Sequence, residues 1–308
     1  MPLDSQIATV LQQFSGLPQP DFSQLNAAHY RQFSDNLMPP IPGEPMAEVR
    51  DLRVAGADGE LDARLYRPLD QPNLPLLVFF HGGGFVIGNL NTHDNLCRAL
   101  ARQSGAVVVS IAYRLAPEAK FPAAPLDCYS ATCWLVEQAH LLGCDASRVA
   151  LAGDSAGANL ALAVSRLAAE RKGPRISYQC LFYPVTDARC GSASYQEFAE
   201  GYFLTREMMQ WFWQQYLPSP GQAGQALASP LLADDLASLP PTTLITAEFD
   251  PLRDEGEALA QRLRQAGVAT RLQRYDGMIH GFVSMAPFVE RGAEALAAAA
   301  ADLRAALN

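Results

Sequence analysis

The strongest constraint on the fold is a repeated alternation. Short, near-continuous apolar runs at 75–80, 106–112, 149–152, 178–183 and 243–247 are interleaved with helical patterns near 92–103, 123–140, 157–172, 251–266 and 289–306. Strands that are apolar throughout are buried on both faces. Alternation with helices then predicts a mostly parallel sheet covered on both sides, the α/β class. Residues 270–275 alternate apolar with polar and read as one further strand at an edge. Residues 46–67 read as two strands around the turn at 56–59. Ahead of them, Ile7, Val10, Leu11 and Phe14 keep helical spacing, which breaks at Pro18, Pro20, Pro39, Pro40, Pro42 and Pro45. Residues 187–235 leave the rhythm: Phe203, Met208, Met209, Trp211, Phe212 and Tyr216 share helical spacing, followed by a Pro- and Gly-rich turn at 218–221. An insertion of this size between two strands is the usual form of a lid or binding segment.

Composition narrows the partners. Of 308 residues, 49% are hydrophobic and 18% charged, an ordinary globular balance. Net charge is −9 and no basic run occurs, which argues against nucleic acid or an anionic membrane as partner. No apolar run approaches the roughly 20 residues of a membrane span. The N-terminus lacks the basic and apolar regions of a signal peptide, so a cytoplasmic protein is expected. Six cysteines without CxxC or metal-ligand spacing (Cys97, Cys128, Cys133, Cys144, Cys180, Cys190) read mostly as small buried hydrophobes.

Chemistry concentrates in four places. Gly153-Asp154-Ser155-Ala156-Gly157 has the GxSxG pattern between a strand at 148–152 and a helix at 158–172. That context forces the serine hydroxyl out of a sharp strand-to-helix turn, beside the free N–H groups of a helix start. His81-Gly82-Gly83-Gly84-Phe85 directly follows a strand. Its glycines leave backbone N–H groups open as an anion cradle, so Gly83 and Gly84, with Ala156, are the expected oxyanion donors. A phosphate loop is the competing use of glycines, but neither GxxxxGK[ST] nor GxGxxG stands at this junction.

A serine nucleophile requires a base, and the base an orienting acid. Of His29, His81, His93, His140 and His280, only His280 is expected in a loop after a late strand, where open α/β sheets collect their active sites. His81 more naturally orients the glycine loop, His93 reads as a surface or cap residue, and His140 as a helix-end residue. Glu248, Asp250, Asp254 and Glu255 are the acid candidates after the strand at 243–247. Asp250 stands at the strand end, where a plain helix cap is its other reading. Asp254 and Glu255 fall in first helical turns, where acids suit the dipole. The order Ser155, Asp250, His280 is the order of the Ser…Asp…His hydrolases.

These pieces together resemble the bacterial hormone-sensitive-lipase-like carboxylesterases. HGGGF (81–85), YRLAPE (113–118), FPAAPLD (121–127), GDSAGANLA (153–161), DPLRDEG (250–256) and HGF (280–282) occur in the family's order over about 80–290. The resemblance implies an α/β-hydrolase body over 46–186 and 236–308, with a helical cap from 1–45 and 187–235. It implies the triad Ser155, Asp250 and His280 with an oxyanion hole at Gly83, Gly84 and Ala156. It also implies a serine esterase without metal or organic cofactor, acting on a small-molecule ester, and a homodimer formed through the last strand, near 270–275. With no long exposed amphipathic lid evident, short or medium acyl esters are expected. Phe33, Tyr202, Phe203, Met209 and Phe212 are candidates for lining the acyl pocket. A small aryl amide hydrolase or deacetylase would use the same triad, and sequence does not separate the two. A non-catalytic receptor on this fold, as in plant relatives, would be expected to lose the histidine that stands here at 280.

Overall fold

The structure is a computed structural model describing residues 2–16, 21–22, 24–37, 41 and 43–308; Pro18, Pro20, Pro39, Pro40 and Pro42 lie outside the described residues. The chain opens with α1 (Ser5–Ser15) and α2 (Ala27–Asp35). Next come β1 (Glu48–Ala55), β2 (Glu60–Arg67), β3 (Leu74–Phe80), α3 (Asp94–Ser104), β4 (Val107–Ile111), α4 (Ala123–Glu137), β5 (Cys144–Asp154), α5 (Ala156–Glu170) and β6 (Tyr178–Phe182). The insertion holds α6 (Ser194–Glu197) and α7 (Arg206–Tyr216). It is followed by β7 (Thr242–Phe249), α8 (Arg253–Gln265), β8 (Thr270–Ile279) and α9 (Glu290–Leu307). Side chains cap α1, α2 and α7 at their N-termini. Asp4 accepts the Gln6 N–H, Asn26 those of Ala28 and His29, and Thr205 that of Met208.

The described strands form one sheet in the order β1-β2-β4-β3-β5-β6-β7-β8. β1, β2 and β4 pair antiparallel, and all pairs from β4 through β3 to β8 are parallel. The expected two-sided burial is literal. Leu76, Val78 and Phe80 enter the core that holds α4, α5 and α8, whereas Leu77 and Phe79 enter the one that holds α3 and α9. Because the side-chain period of a strand is two, one apolar strand serves two cores. Trp211, Phe212 and Trp213 of α7 join the first core, and Ile7 of α1 the second, so both added segments are packed into the body.

The strand order sets the site. β3 and β5 are central neighbours, as are β7 and β8 near the edge. Their C-terminal ends carry His81–Gly84, Ser155, Asp250 and His280 respectively. Two boundaries differ most from the sequence expectation. β5 starts at Cys144, ahead of the apolar run, with its register shifted against β3 between Pro75 and Leu76. β8 continues past Tyr275 to Ile279 through a bulge, where a loop was expected.

The structure also explains why YRLAPE and FPAAPLD occur together. Asp127 of α4 is fully buried and accepts the N–H groups of Ala57 and Arg114 at 3.1 and 3.2 Å. It also accepts Arg114 Nε and Nη2 at 2.8 and 2.9 Å. One carboxylate thus ties the β1–β2 turn, the segment after β4, and α4. Asp127→Ala leaves these donors without it. We expect a loss of about 2 kcal/mol, since the Ala57 and Arg114 N–H groups lose their acceptor while the Arg114 side chain keeps Asp58, read as a lower urea midpoint at unchanged slope.

Candidate active site

Ser155 follows the last residue of β5 and precedes α5, and its backbone has φ 54° and ψ −117°. Side-chain-bearing residues rarely adopt this conformation, which costs of order 1–3 kcal/mol. The flanking glycines permit it. A Cβ on Gly153 would lie 2.4 Å from the Gly157 backbone, and one on Gly157 would lie 1.9 Å from the Phe80 carbonyl oxygen. The elbow is anchored by the Ser155 N–H to Phe182 O at 2.8 Å and the Val185 N–H to Ser155 O at 3.2 Å.

His280 Nε2 lies 2.9 Å from Ser155 Oγ, and His280 Nδ1 lies 2.8 Å from Asp250 Oδ2. Asp250 Oδ1 accepts the Leu252 N–H at 2.9 Å, so this residue caps the turn into α8 and holds the imidazole as well. A carboxylate oxygen facing Nδ1 suits the tautomer with its proton on that nitrogen, in which Nε2 accepts from the serine hydroxyl. All three residues are buried, and the Tyr183 ring lies 4.7 Å from the imidazole. The register of β8 makes the contact possible. Ala247 pairs with Tyr275, an offset of 275 − 247 = 28, whereas Phe249 pairs with Ile279, an offset of 279 − 249 = 30. Without those two extra residues, Met278 would stand across from Asp250. Gly277 sits in the bulge at φ 82°, its N–H donating to Glu248 Oε2 at 2.7 Å.

The glycine loop lies beside the elbow. Its backbone turns through positive φ at Gly83 (116°), Gly84 (58°) and Phe85 (65°). A Cβ on Gly83 would lie 2.2 Å from Ile87 O, and one on Gly84 would lie 2.2 Å from the Phe212 ring. Among the described residues, the N–H groups of Gly83, Gly84 and Ala156 donate to no other group of the protein. For Ala156 this follows from its place in the first turn of a helix. The Gly82 N–H, in contrast, donates to Asp154 Oδ1 at 2.8 Å.

Behind the loop, His93 Nε2 lies 3.3 Å from Asp154 Oδ1 and 3.4 Å from Oδ2. Burial pushes the Asp154 carboxyl up, but His93 and the Gly82 N–H outweigh it and leave the net shift downward. His93 stands at the α3 cap position without a side-chain cap bond and is largely enclosed, so it is no surface residue. His81 is buried, 2.8 Å from Gly82 O through Nδ1, and stacks on Tyr113 at 4.4 Å. Burial, then the neighbouring His93, lowers its imidazole to about 4. It is a neutral support for the loop, as its place in the sequence suggested.

The pocket candidates separate. Phe212 covers Gly84, and Phe203, at φ 72°, lies beside Gly281 and packs on Phe14 at 5.2 Å. Tyr202 stacks on Phe249 at 5.0 Å, next to Asp250, and Met209 is buried in the core. Phe33 lines an outer concavity of about 490 Å³ with His29, Gln32, Asn36 and Leu37, a space that none of the triad lines.

Glu255 stands in the first turn of α8 as expected, but its burial was not legible in the sequence: it is a buried acid whose Oε1 accepts the Thr186 and Asp187 N–H groups at 2.6 and 3.2 Å. Burial raises its carboxyl well above the usual range. The pattern DPLRDEG was the only signal, and it does not say which acid turns inward.

The family described as alpha/beta hydrolase fold matches residues 77–284. An ethyl acetate hydrolase of Pseudomonas putida is 43% identical over 253 residues, 80% of each chain. Carboxylesterase NlhH of Mycobacterium tuberculosis is 40% identical over 274 residues, 87% of this chain and 86% of its own. A hyperthermophilic esterase from the archaeon Pyrobaculum calidifontis superposes with a TM-score of 0.93 at 42% identity over 99% of both chains.

The depressed His81 imidazole makes stability pH-dependent. An unfolded histidine takes its proton near 6.5 and the buried one near 4. The unfolded state therefore binds more protons between these values, and stability falls as pH drops through that window. The full loss is roughly 3 kcal/mol. In urea melts at pH 7 and pH 4.5, His81→Asn is expected to lose about 2 kcal/mol less than the wild type over that drop.

Proposed function

The chain belongs to the hormone-sensitive-lipase-like carboxylesterase family of the α/β-hydrolase fold, and from that premise we propose that it is a serine carboxylesterase cleaving short to medium acyl esters through Ser155, His280 and Asp250. The observation that carries this reading is the continuous Asp250–His280–Ser155 chain at 2.8 and 2.9 Å, ending on a serine at a strained elbow.

His280 Nε2 takes the Ser155 hydroxyl proton as Oγ attacks the ester carbonyl carbon. The C=O bond opens to an oxyanion, which the N–H groups of Gly83, Gly84 and Ala156 receive. When the carbonyl re-forms, the C–O bond to the alcohol breaks and the alcohol leaves with the proton from His280. Water, deprotonated by the same nitrogen, then attacks the acyl-enzyme and releases the acid. Asp250 holds the Nδ1 proton and stabilises the imidazolium. The helices α1 and α2 and the segment 187–235 act as a helical cap over the site, with Phe203 and Phe212 as its approach to the reacting atoms. The substrate is a small-molecule ester, met in the cytoplasm. Pairing through β8 near 270–275, at the end of the described strand order, would make the homodimer that the family resemblance implies.

Initial rates on p-nitrophenyl esters from acetate to dodecanoate test this. Ser155→Ala is expected to lose about 10⁴–10⁶-fold in kcat, and Asp250→Asn about 10⁴-fold, with both proteins folded. Wild-type turnover retained by Ser155→Ala would refute the assignment.

A further inference from the structure

We infer that Arg31, on α2 of the N-terminal segment, is a positioning residue for the oxyanion loop, so that docking of this segment tunes the rate of the chemical step. The inference rests on the esterase reading above. Arg31 Nε donates to Val86 O at 2.6 Å and Nη2 to Ala116 O at 2.6 Å. Nη1 and Nη2 also meet the Glu118 carboxylate at 2.9 and 2.6 Å. The Arg31 side chain is 23% exposed and that of Glu118 61%, so the carboxylate arm is solvated and adds little. The two carbonyl contacts lie at the protected end.

Those carbonyls are next to the glycine turn. The Val86 and Ile87 N–H groups converge on Gly83 O at 3.0 and 2.9 Å, and the Ala116 N–H donates to Phe85 O at 2.9 Å. The residues whose carbonyls Arg31 grips, Val86 and Ala116, therefore donate their own N–H groups to Gly83 and Phe85, at either end of the three residues with positive φ. A backbone of this shape has no ladder of its own to hold it. From the body side, Asp154 holds it through the Gly82 N–H. From the outside, it is held by the Phe212 ring over Gly84 and by Arg31. Asn89 Nδ2 to Asp35 Oδ1 at 3.0 Å is a second, exposed tie between α2 and the chain beyond the loop. The planar fork of arginine reaches several acceptors at once, which a lysine ammonium does not reproduce.

The test compares wild type, Arg31→Met and Arg31→Lys. It reads kcat and KM on p-nitrophenyl acetate, butyrate and octanoate, and the rate of Ser155 phosphonylation by an alkyl fluorophosphonate. Displacement of the donors should lower kcat of Arg31→Met roughly tenfold to a hundredfold. The factor should be the same at all three acyl lengths, phosphonylation should slow in parallel, and Arg31→Lys should recover part of the loss. Wild-type kcat and labelling in Arg31→Met overturn the inference, as does a loss confined to KM or one that grows with acyl length. If Arg31→Met does not fold, Arg31→Lys and Arg31→Gln carry the same comparison. A wild type that is phosphonylated but turns over no ester overturns the esterase reading alone, and the labelling rates still judge Arg31. A wild type that is not phosphonylated overturns both.

Discussion

The tightest constraint in the structure is the approach of α5 to the end of β3. At Gly157 the helix backbone comes so near the Phe80 carbonyl that a single Cβ would sit 1.9 Å from that oxygen. This contact lets α5 begin beside the strand that feeds the glycine loop. It thereby sets the Ala156 N–H at a free helix start and forces Ser155 into its strained turn. Gly153 permits the same closeness from the strand side, and the strain is held by hydrogen bonds from β6 and the segment beyond it. A local cost of order 1–3 kcal/mol is sustainable because these bonds and the buried core over-determine the position.

Around that turn the protein places charge with care. Asp154, next to the serine, is buried yet held ionised by His93 and the Gly82 N–H. His81, one residue before that same N–H, is held neutral by burial. Glu255, behind the Asp250 turn, is pushed toward its protonated form while it accepts two backbone N–H groups from the segment after β6. These buried groups are thus backbone supports, and the loops they support carry Gly82–Gly84, Ser155 and Asp250. Arg31 extends the same principle outward, from a helix that is not part of the sheet at all.

The sheet, its helices and the meeting of Ser155, His280 and Asp250 were largely legible in the sequence, because each rests on a local signal. Apolar runs read as buried strands, and GxSxG between strand and helix reads as an elbow. Asp250 carries two local readings, and its two carboxylate oxygens serve two contacts: one accepts the Leu252 N–H in the turn ahead of α8, and the other meets His280 Nδ1. The misplacements have a common cause. The end of β8, the partner of His93 and the inward turn of Glu255 each depend on a neighbour distant in sequence. Periodicity carries no information about such neighbours. Phe33 and Phe212 had equal standing as aromatics in helical segments, yet one lines an outer concavity and the other covers Gly84.

The sequence by itself determined the element types, their order, the two-sided burial of the parallel strands, and the residue kinds able to serve as nucleophile, base, acid and oxyanion donors. These follow from backbone sterics and hydrophobic periodicity, which act over a few residues. The tertiary structure decided what faces what. A two-residue offset in the pairing of β8 with β7, centred on Gly277, puts His280 rather than Met278 across from Asp250. The docking of α2 and α7 decides which side chains close on the glycine loop. Register and docking are set by the sum of many long-range contacts, and no single stretch of sequence contains that sum.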